Sequence, residues 1–320
     1  MTLIDVLRAR RRISPYLRRT PLVASTWLSE LAGAHVSLKL ESLQLSGSFK
    51  SRGAFNAIIA RLERGAARDQ QIVTASAGNH GRALAAAAEV FHVPLVVFTP
   101  ADAPQAKLAA IRRHRADLRA EGRDYDHAEL LAKTFAEEHG APFISPYNDP
   151  DVVAGAGTIA LEIFEDAPNV DALVVPIGGG GLISGVAAAA RAIAPAHRSI
   201  GVEAEASHAL LASIRAGRIT RITPGPTLAD GLGGNLDPQT ITFALIQQYV
   251  DQIVTVSEPD LVSAMTGLVE QEHLVTEGAG AAATAAIVGR RIALDGRRVA
   301  VIVSGCNIDR ARLMSVLAGL

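Results

Sequence analysis

The stretch Leu173-Val174-Val175-Pro176-Ile177-Gly178-Gly179-Gly180-Gly181-Leu182-Ile183-Ser184 decides the fold of this chain. Its opening run, 173–177, is apolar without alternation, the mark of a strand covered on both faces. Four glycines follow, and then the alanine-rich run 182–192 predicts a helix. A strand that turns through glycine into a helix is the unit of an α/β fold with a largely parallel sheet.

The same unit recurs outward in both directions. β-Branched runs predict strands at 36–40, 72–75, 95–98, 200–202, 253–256 and 299–303. Helices are predicted at 53–62, 82–91, 104–113, 127–138, 259–270 and 310–317. The proline-rich, polar segment Pro142-Phe143-Ile144-Ser145-Pro146-Tyr147-Asn148-Asp149-Pro150 is where the chain crosses between lobes. The expected division is a large domain from 1–65 and 149–320, and a small domain from 66–148.

Composition narrows the function classes. The chain has 320 residues, 49% hydrophobic and 20% charged, enough to bury a sizeable core. Its formal net charge of −1 provides no global field for nucleic acid or an anionic membrane. The basic run Arg8 to Arg12 reads as a solvated helix face. The longest uncharged stretch, 172–190, is broken by Pro176 and the glycines, so no membrane span is expected. The first residues lack the apolar run of a secretory signal. With a single cysteine, Cys306, no disulfide forms within the chain. A cytoplasmic protein is the expectation.

Four segments carry chemistry. Gly178, Gly179, Gly180 and Gly181 open a helix, whose N-terminus favours an anion. The spacing is neither G-x-G-x-x-G nor a P-loop, so a single phosphate ester fits better than a dinucleotide or nucleoside triphosphate. In Ser46-Gly47-Ser48-Phe49-Lys50-Ser51-Arg52-Gly53, Lys50 falls where a loop opens a helix. The macrodipole there disfavours a cation, which suits a lysine that must lose its proton to act as a nucleophile. In Thr74-Ala75-Ser76-Ala77-Gly78-Asn79-His80-Gly81, Ser76, Asn79 and backbone N–H groups can hold a carboxylate. In Val303-Ser304-Gly305-Cys306-Asn307, Ser304 ends the last strand, at the sheet edge where α/β folds bind ligands. Cys306 reads as a small buried filler. The histidines show no zinc-ligand spacing.

Taken together and in this order, these motifs resemble the fold-type II pyridoxal-phosphate (PLP) enzymes. Within that family they are most similar to the short serine/threonine dehydratases and the related serine racemases. The resemblance runs from Arg19-Thr20-Pro21-Leu22 to Ser304-Gly305-Cys306-Asn307, and includes Val153-Ala154-Gly155-Ala156-Gly157-Thr158 and Ala229-Asp230-Gly231. It implies two open, twisted, mostly parallel sheets flanked by helices, similar to the tryptophan synthase β fold, with PLP between the lobes. Lys50 would bond the cofactor and act as the base. Phe49 and Asn79 would lie beside the cofactor. Gly178, Gly179, Gly180, Gly181 and Leu182 would hold its phosphate, and Ser304 would face its ring nitrogen. Ser76, Ala77, Gly78, Asn79 and His80 would receive the carboxylate of a small amino-acid substrate. Glu277 resembles a family glutamate near the active site. A homodimer is implied.

The implied reaction is dehydration of a β-hydroxy amino acid, L-threonine or L-serine, to a 2-oxo acid and ammonia. Alternatives are 3-hydroxyaspartate dehydration and serine racemisation. Racemases of the family place a serine one position after Ser76; here Ala77 has no proton to move. A thiol-using transferase and a nucleotide-binding oxidoreductase fit the motifs less well. Glu203 matches a family cation site, but Ser207-His208-Ala209 replaces the later acidic ligand. A divalent ion is therefore not implied, and a monovalent ion held by backbone carbonyls is an open alternative. The chain resembles the short catabolic enzymes, without a regulatory domain. Phe55, Tyr147 and the segment 231–235 are candidates to line the substrate pocket.

Overall fold

The computed structural model describes residues 1–319. Its strands are β1 (Leu22–Ala24), β2 (His35–Leu40), β3 (Ile72–Ala75), β4 (Leu95–Pro100), β5 (Asp117–Gly122), β6 (Ala172–Pro176), β7 (Arg198–Ala204), β8 (Gln252–Val256) and β9 (Arg298–Val303). They form two sheets, a six-stranded one ordered β1-β2-β9-β6-β7-β8 and a three-stranded one ordered β3-β4-β5. Every pairing is parallel except β1 with β2. The fold is α/β with helices on the sheet faces, as the sequence implies.

The strand alternation explains why both faces are covered. In β6 and β9, Leu173, Val175, Ala300 and Ile302 pack into one apolar cluster, with the helices Pro150–Asp166 and Gly181–Ile193. Their neighbours Ala172, Val174, Val299, Val301 and Val303 pack into another, with the helices Glu258–Glu272 and Gly278–Val288. Successive residues of one strand thus serve two different cores. The small sheet repeats the device: Ile72, Leu95 and Val97 face one cluster, and Val73, Ala75, Val96 and Phe98 another.

Two long helices escape a periodicity reading. Pro150–Asp166 carries Val153-Ala154-Gly155-Ala156-Gly157, which looks like a turn. Those glycines instead let helices touch backbone to backbone. A Cβ on Gly157 would lie 2.9 Å from the Gly185 carbonyl oxygen, and one on Gly155 would strike the Arg52 backbone. Asp149 starts this helix, accepting from the N–H groups of Asp151 and Val152, with Pro150 in the first turn. Gly278–Val288 is apolar all round and buried from Gly278 to Ile287, so it has no polar stripe to betray it. Strand β5 is also unexpected, since every second residue in it is charged. It is an edge strand, where charge is tolerated.

Against the helix Pro150–Asp166 lies a buried ionic cluster. Arg52 donates to both oxygens of Glu41 at 2.8 Å and to both oxygens of Glu162 at 2.7 and 2.8 Å. Lys39 donates to Glu162 and to the Thr20 carbonyl, each at 2.6 Å. Thr20 donates its hydroxyl to Glu41 at 2.5 Å. The formal charges cancel, and the bidentate geometry satisfies nearly every donor and acceptor. The cluster joins β2, the helix Lys50–Glu63 and the helix Pro150–Asp166. Arg52→Ala leaves two buried carboxylates facing one lysine, so it is expected to cost about 3–5 kcal/mol. A fall in the urea unfolding midpoint, followed by circular dichroism, checks this; an unchanged midpoint would contradict it.

Candidate active site

A cavity of about 290 Å³ opens between the two sheets. The strand–loop–helix turns deliver its walls. The loop after β3 brings Ser76, Ala77, Gly78, Asn79 and His80 from the small sheet. The loop after β6 brings Gly178, Gly179, Gly180, Gly181 and Leu182, and the end of β9 brings Ser304. Phe49 and Lys50 enter at the start of the helix Lys50–Glu63. Every site residue expected from the sequence therefore lines one cavity, apart from the pocket candidate Phe55 and the candidate cation ligand Glu203.

Lys50 Nζ donates to the Pro146 carbonyl at 2.8 Å and sits 5.1 Å from the Phe49 ring centre. Burial in the cleft pulls its pKa down to about 8, against the pull of Glu277 in the opposite direction. Phe49 N donates to the Ser304 carbonyl at 3.0 Å, tying the lysine's loop to the end of β9. Ser304 is buried and its hydroxyl makes a long 3.3 Å bond to the Ala279 carbonyl.

The glycine turn is closely packed. A Cβ on Gly181 would lie 2.9 Å from Tyr147 Cα, and one on Gly179 would enter the Tyr147 ring. Gly180 adopts φ +87°, open to glycine at little cost. A Cβ on Gly180 would also strike Ile246, and one on Gly178 would press on Leu232. The Tyr147 hydroxyl in turn accepts the Asp237 N–H at 2.9 Å and so fixes the segment that roofs the cavity.

The loop opposite is held from both lobes. Gly78 N donates to Ser76 Oγ at 3.2 Å. Asn79 Nδ2 donates to Glu277 Oε1 at 2.6 Å, and Asn79 Oδ1 accepts from Asn307 at 2.6 Å. The Asn79 amide thus positions the loop, with one N–H left over. His80 is buried; Nε2 lies 3.3 Å from the Ile144 carbonyl and Nδ1 has no partner. Burial, reinforced by Lys50, pushes its pKa down to about 3, so the ring is neutral. Glu277 is also buried, and burial pushes its pKa up to about 7.

Two candidates lie elsewhere. Phe55 does not reach the cavity; it packs in the core against Tyr16 and Phe91, with ring centres 6.0 and 5.9 Å away. Glu203 lies outside the cavity and accepts the N–H groups of Leu210 and Leu211 at 2.9 and 2.8 Å, at the start of the helix Ala209–Ala216. Burial pushes its pKa up to about 7. Tyr147 and the segment 231–235 do line the cavity. So do Lys107, Tyr125 and Pro146, which no motif marked. Pro146 sits in the crossing segment, and that position was the one available signal.

The donor set fits a phosphorylated aldehyde cofactor: a lysine of lowered pKa, a glycine cradle at a helix N-terminus and a buried hydroxyl share one cavity. Comparisons with known proteins agree. Residues 13–305 match the family described as pyridoxal-phosphate dependent enzyme. The chain is 43% identical to the L-threonine ammonia-lyase of Thermotoga maritima over 309 residues, covering 97% of this chain and 76% of that protein. It is 38% identical to the L-threo-3-hydroxyaspartate ammonia-lyase of Saccharomyces cerevisiae, covering 98% of this chain and 96% of that one. The crystal structure of serine racemase from Dictyostelium discoideum superposes with a TM-score of 0.88 at 34% identity, covering 97% of this chain and 99% of that one.

The buried glutamate gives a pH signature. Unfolded, Glu277 titrates near its ordinary 4.5; folded, near about 7. Between those values the folded state binds more protons, so this group's contribution to stability falls as pH rises through the window. Glu277→Gln removes that dependence. Its stability relative to the parent is expected to improve by roughly 3 kcal/mol at most between about pH 5 and about pH 8. Urea unfolding at both pH values checks this; a constant difference would contradict it.

Proposed function

Because the chain belongs to the pyridoxal-phosphate dependent enzyme family, we propose that it is a dehydratase of the ammonia-lyase type. It converts L-threonine or L-serine to a 2-oxo acid and ammonia by α,β-elimination of water. The observation that carries this reading is the meeting of Lys50, the glycine turn and the Ser76–His80 loop in one cavity.

The cofactor, when bound, supplies the electron sink that lets the α-proton leave. Gly178, Gly179, Gly180, Gly181 and Leu182 would hold its phosphate on backbone N–H groups at the helix start. Phe49 and Asn79 would flank it, and Ser304 would offer its ring nitrogen a hydroxyl rather than a carboxylate. Lys50 is the anchor and the base that takes the α-proton; a pKa of about 8 leaves it partly neutral near pH 7. Ser76, Ala77, Gly78, Asn79 and His80 receive the substrate carboxylate, with neutral His80 adding no charge. The roof segment excludes water while the β-hydroxyl departs.

Ala77 separates this reading from racemisation. Its methyl group cannot return a proton to the face opposite Lys50, so the reaction runs from one enantiomer. Residues 66–148 act as the small lobe that brings the carboxylate loop, and 1–65 with 149–320 as the lobe that holds the cofactor. The reading extends to a cytoplasmic homodimer, the assembly implied by the sequence resemblance, which light scattering of the holoenzyme tests. No helix among the described residues is long and apolar enough to cross a membrane.

The deciding assay is oxo-acid release from L-threonine, L-serine and L-threo-3-hydroxyaspartate, with D-serine followed in the same tubes. Oxo acid without D-serine supports the dehydratase; D-serine as the main product overturns it. Lys50→Ala should keep the fold and abolish oxo-acid formation, and normal turnover in that variant would sink the assignment. Ala77→Ser is expected to introduce measurable D-serine from L-serine; a variant that forms none contradicts the two-face argument.

A further inference from the structure

The charge inventory of the cavity bears on which substrate it accepts, an inference that rests on the dehydratase reading. Four ionisable side chains other than His80 and the tyrosines line it: Lys50, Lys107, Asp230 and Glu277. Lys50 is committed to the reaction, and His80 is neutral. Glu277 is an acid, held by Asn79. Lys107 is therefore the one cation lining the cavity that remains to meet a second negative charge on a substrate.

That cation is already neutralised. Lys107 Nζ lies 2.7 Å from Asp230 Oδ2. The lysine comes from the helix Gln105–Arg112 beside the small sheet, and the aspartate from the turn Asp230–Leu232 on the opposite wall. Both residues line the cavity together with Ala77 and Gly78. Arg312 Nη1 adds a weaker contact to Asp230 at 3.5 Å, while its Nη2 donates at 2.8 Å to the Thr227 carbonyl. A substrate with an uncharged β-substituent leaves this pair intact. A β-carboxylate must either displace Asp230 from Lys107 or lie against the Asp230 carboxylate, and like charges close together repel, even at a pair 33% and 41% exposed as this one is.

We propose that the Lys107–Asp230 ion pair is a specificity determinant that reserves the cavity for β-hydroxy amino acids with uncharged side chains and disfavours 3-hydroxyaspartate. Discrimination here comes from an unavailable cation and an opposing anion as much as from any favourable contact.

The test compares kcat/KM for L-threo-3-hydroxyaspartate and L-threonine in the PLP-loaded enzyme and two variants. The parent should favour threonine. Asp230→Asn frees Lys107, so the ratio of hydroxyaspartate to threonine should rise by roughly tenfold, the scale of one charge-assisted hydrogen bond. Lys107→Met leaves Asp230 without its lysine, and the ratio should fall below that of the parent. Opposite movements support the proposal. A parent that prefers 3-hydroxyaspartate overturns it, as does a ratio unmoved by Asp230→Asn. If that variant fails to fold, Lys107→Met decides alone: a lowered ratio supports the pair's role, and an unmoved or raised one overturns it. Threonine turnover with an unmoved ratio sinks only the ion pair. A parent that releases no oxo acid from any of these substrates sinks the dehydratase reading and this inference with it.

Discussion

The cleft depends on a guanidinium buried away from it. Arg52 stands two positions after Lys50 and binds the two carboxylates Glu41 and Glu162 in the interior. Each carboxylate belongs to a different segment, so the cluster fixes where the helix bearing Lys50 begins relative to β2 and to the helix Pro150–Asp166. Such a cluster is weak evidence for net stability, because desolvating the charges costs about what their attraction returns. Its value is geometric. Apolar packing tolerates small slips between helices, whereas two bidentate contacts do not.

Within the cleft, burial acts on two opposite charges with the same result. It lowers the Lys50 pKa to about 8 and raises that of Glu277 to about 7. Both groups are thereby drawn toward neutrality near pH 7, the kind of shift that clusters at functional sites. Glu277 also grips Asn79 across the cleft, so the protonation of an acid on one wall is coupled to the placement of the loop on the other.

The sheets and the site were legible in the sequence for different reasons. The central strands of the two sheets are apolar runs because parallel strands are buried on both faces, and a run of that kind needs no knowledge of its partners; the edge strands β1 and β5 lack that signal. The site motifs were legible because a glycine turn and a lysine at a helix start are local devices. What escaped depends on contacts distant in sequence. The glycines of Pro150–Asp166 look like a turn until Arg52 and Gly185 are seen pressed against them. Gly278–Val288 lacks a polar face because protein surrounds it. Phe55, a plausible pocket residue by its place near Lys50, points into a ring cluster with Tyr16 and Phe91. Lys107 and Asp230 lie far apart in the chain and acquire meaning only as a pair.

The backbone contact among the helices beneath the cleft bears on how this protein can change over generations. Where Gly155, Gly157 and Gly185 let helix axes approach, no larger residue fits, and the floor admits almost no variation. The roof is the reverse: between the helix Ala209–Ala216 and the helix Ile241–Tyr249 the chain is largely irregular. A lineage that needs a new substrate therefore inherits a rigid base and a rewritable ceiling. Innovation should accumulate in that segment outside its Ala229-Asp230-Gly231 turn, while the floor records ancestry.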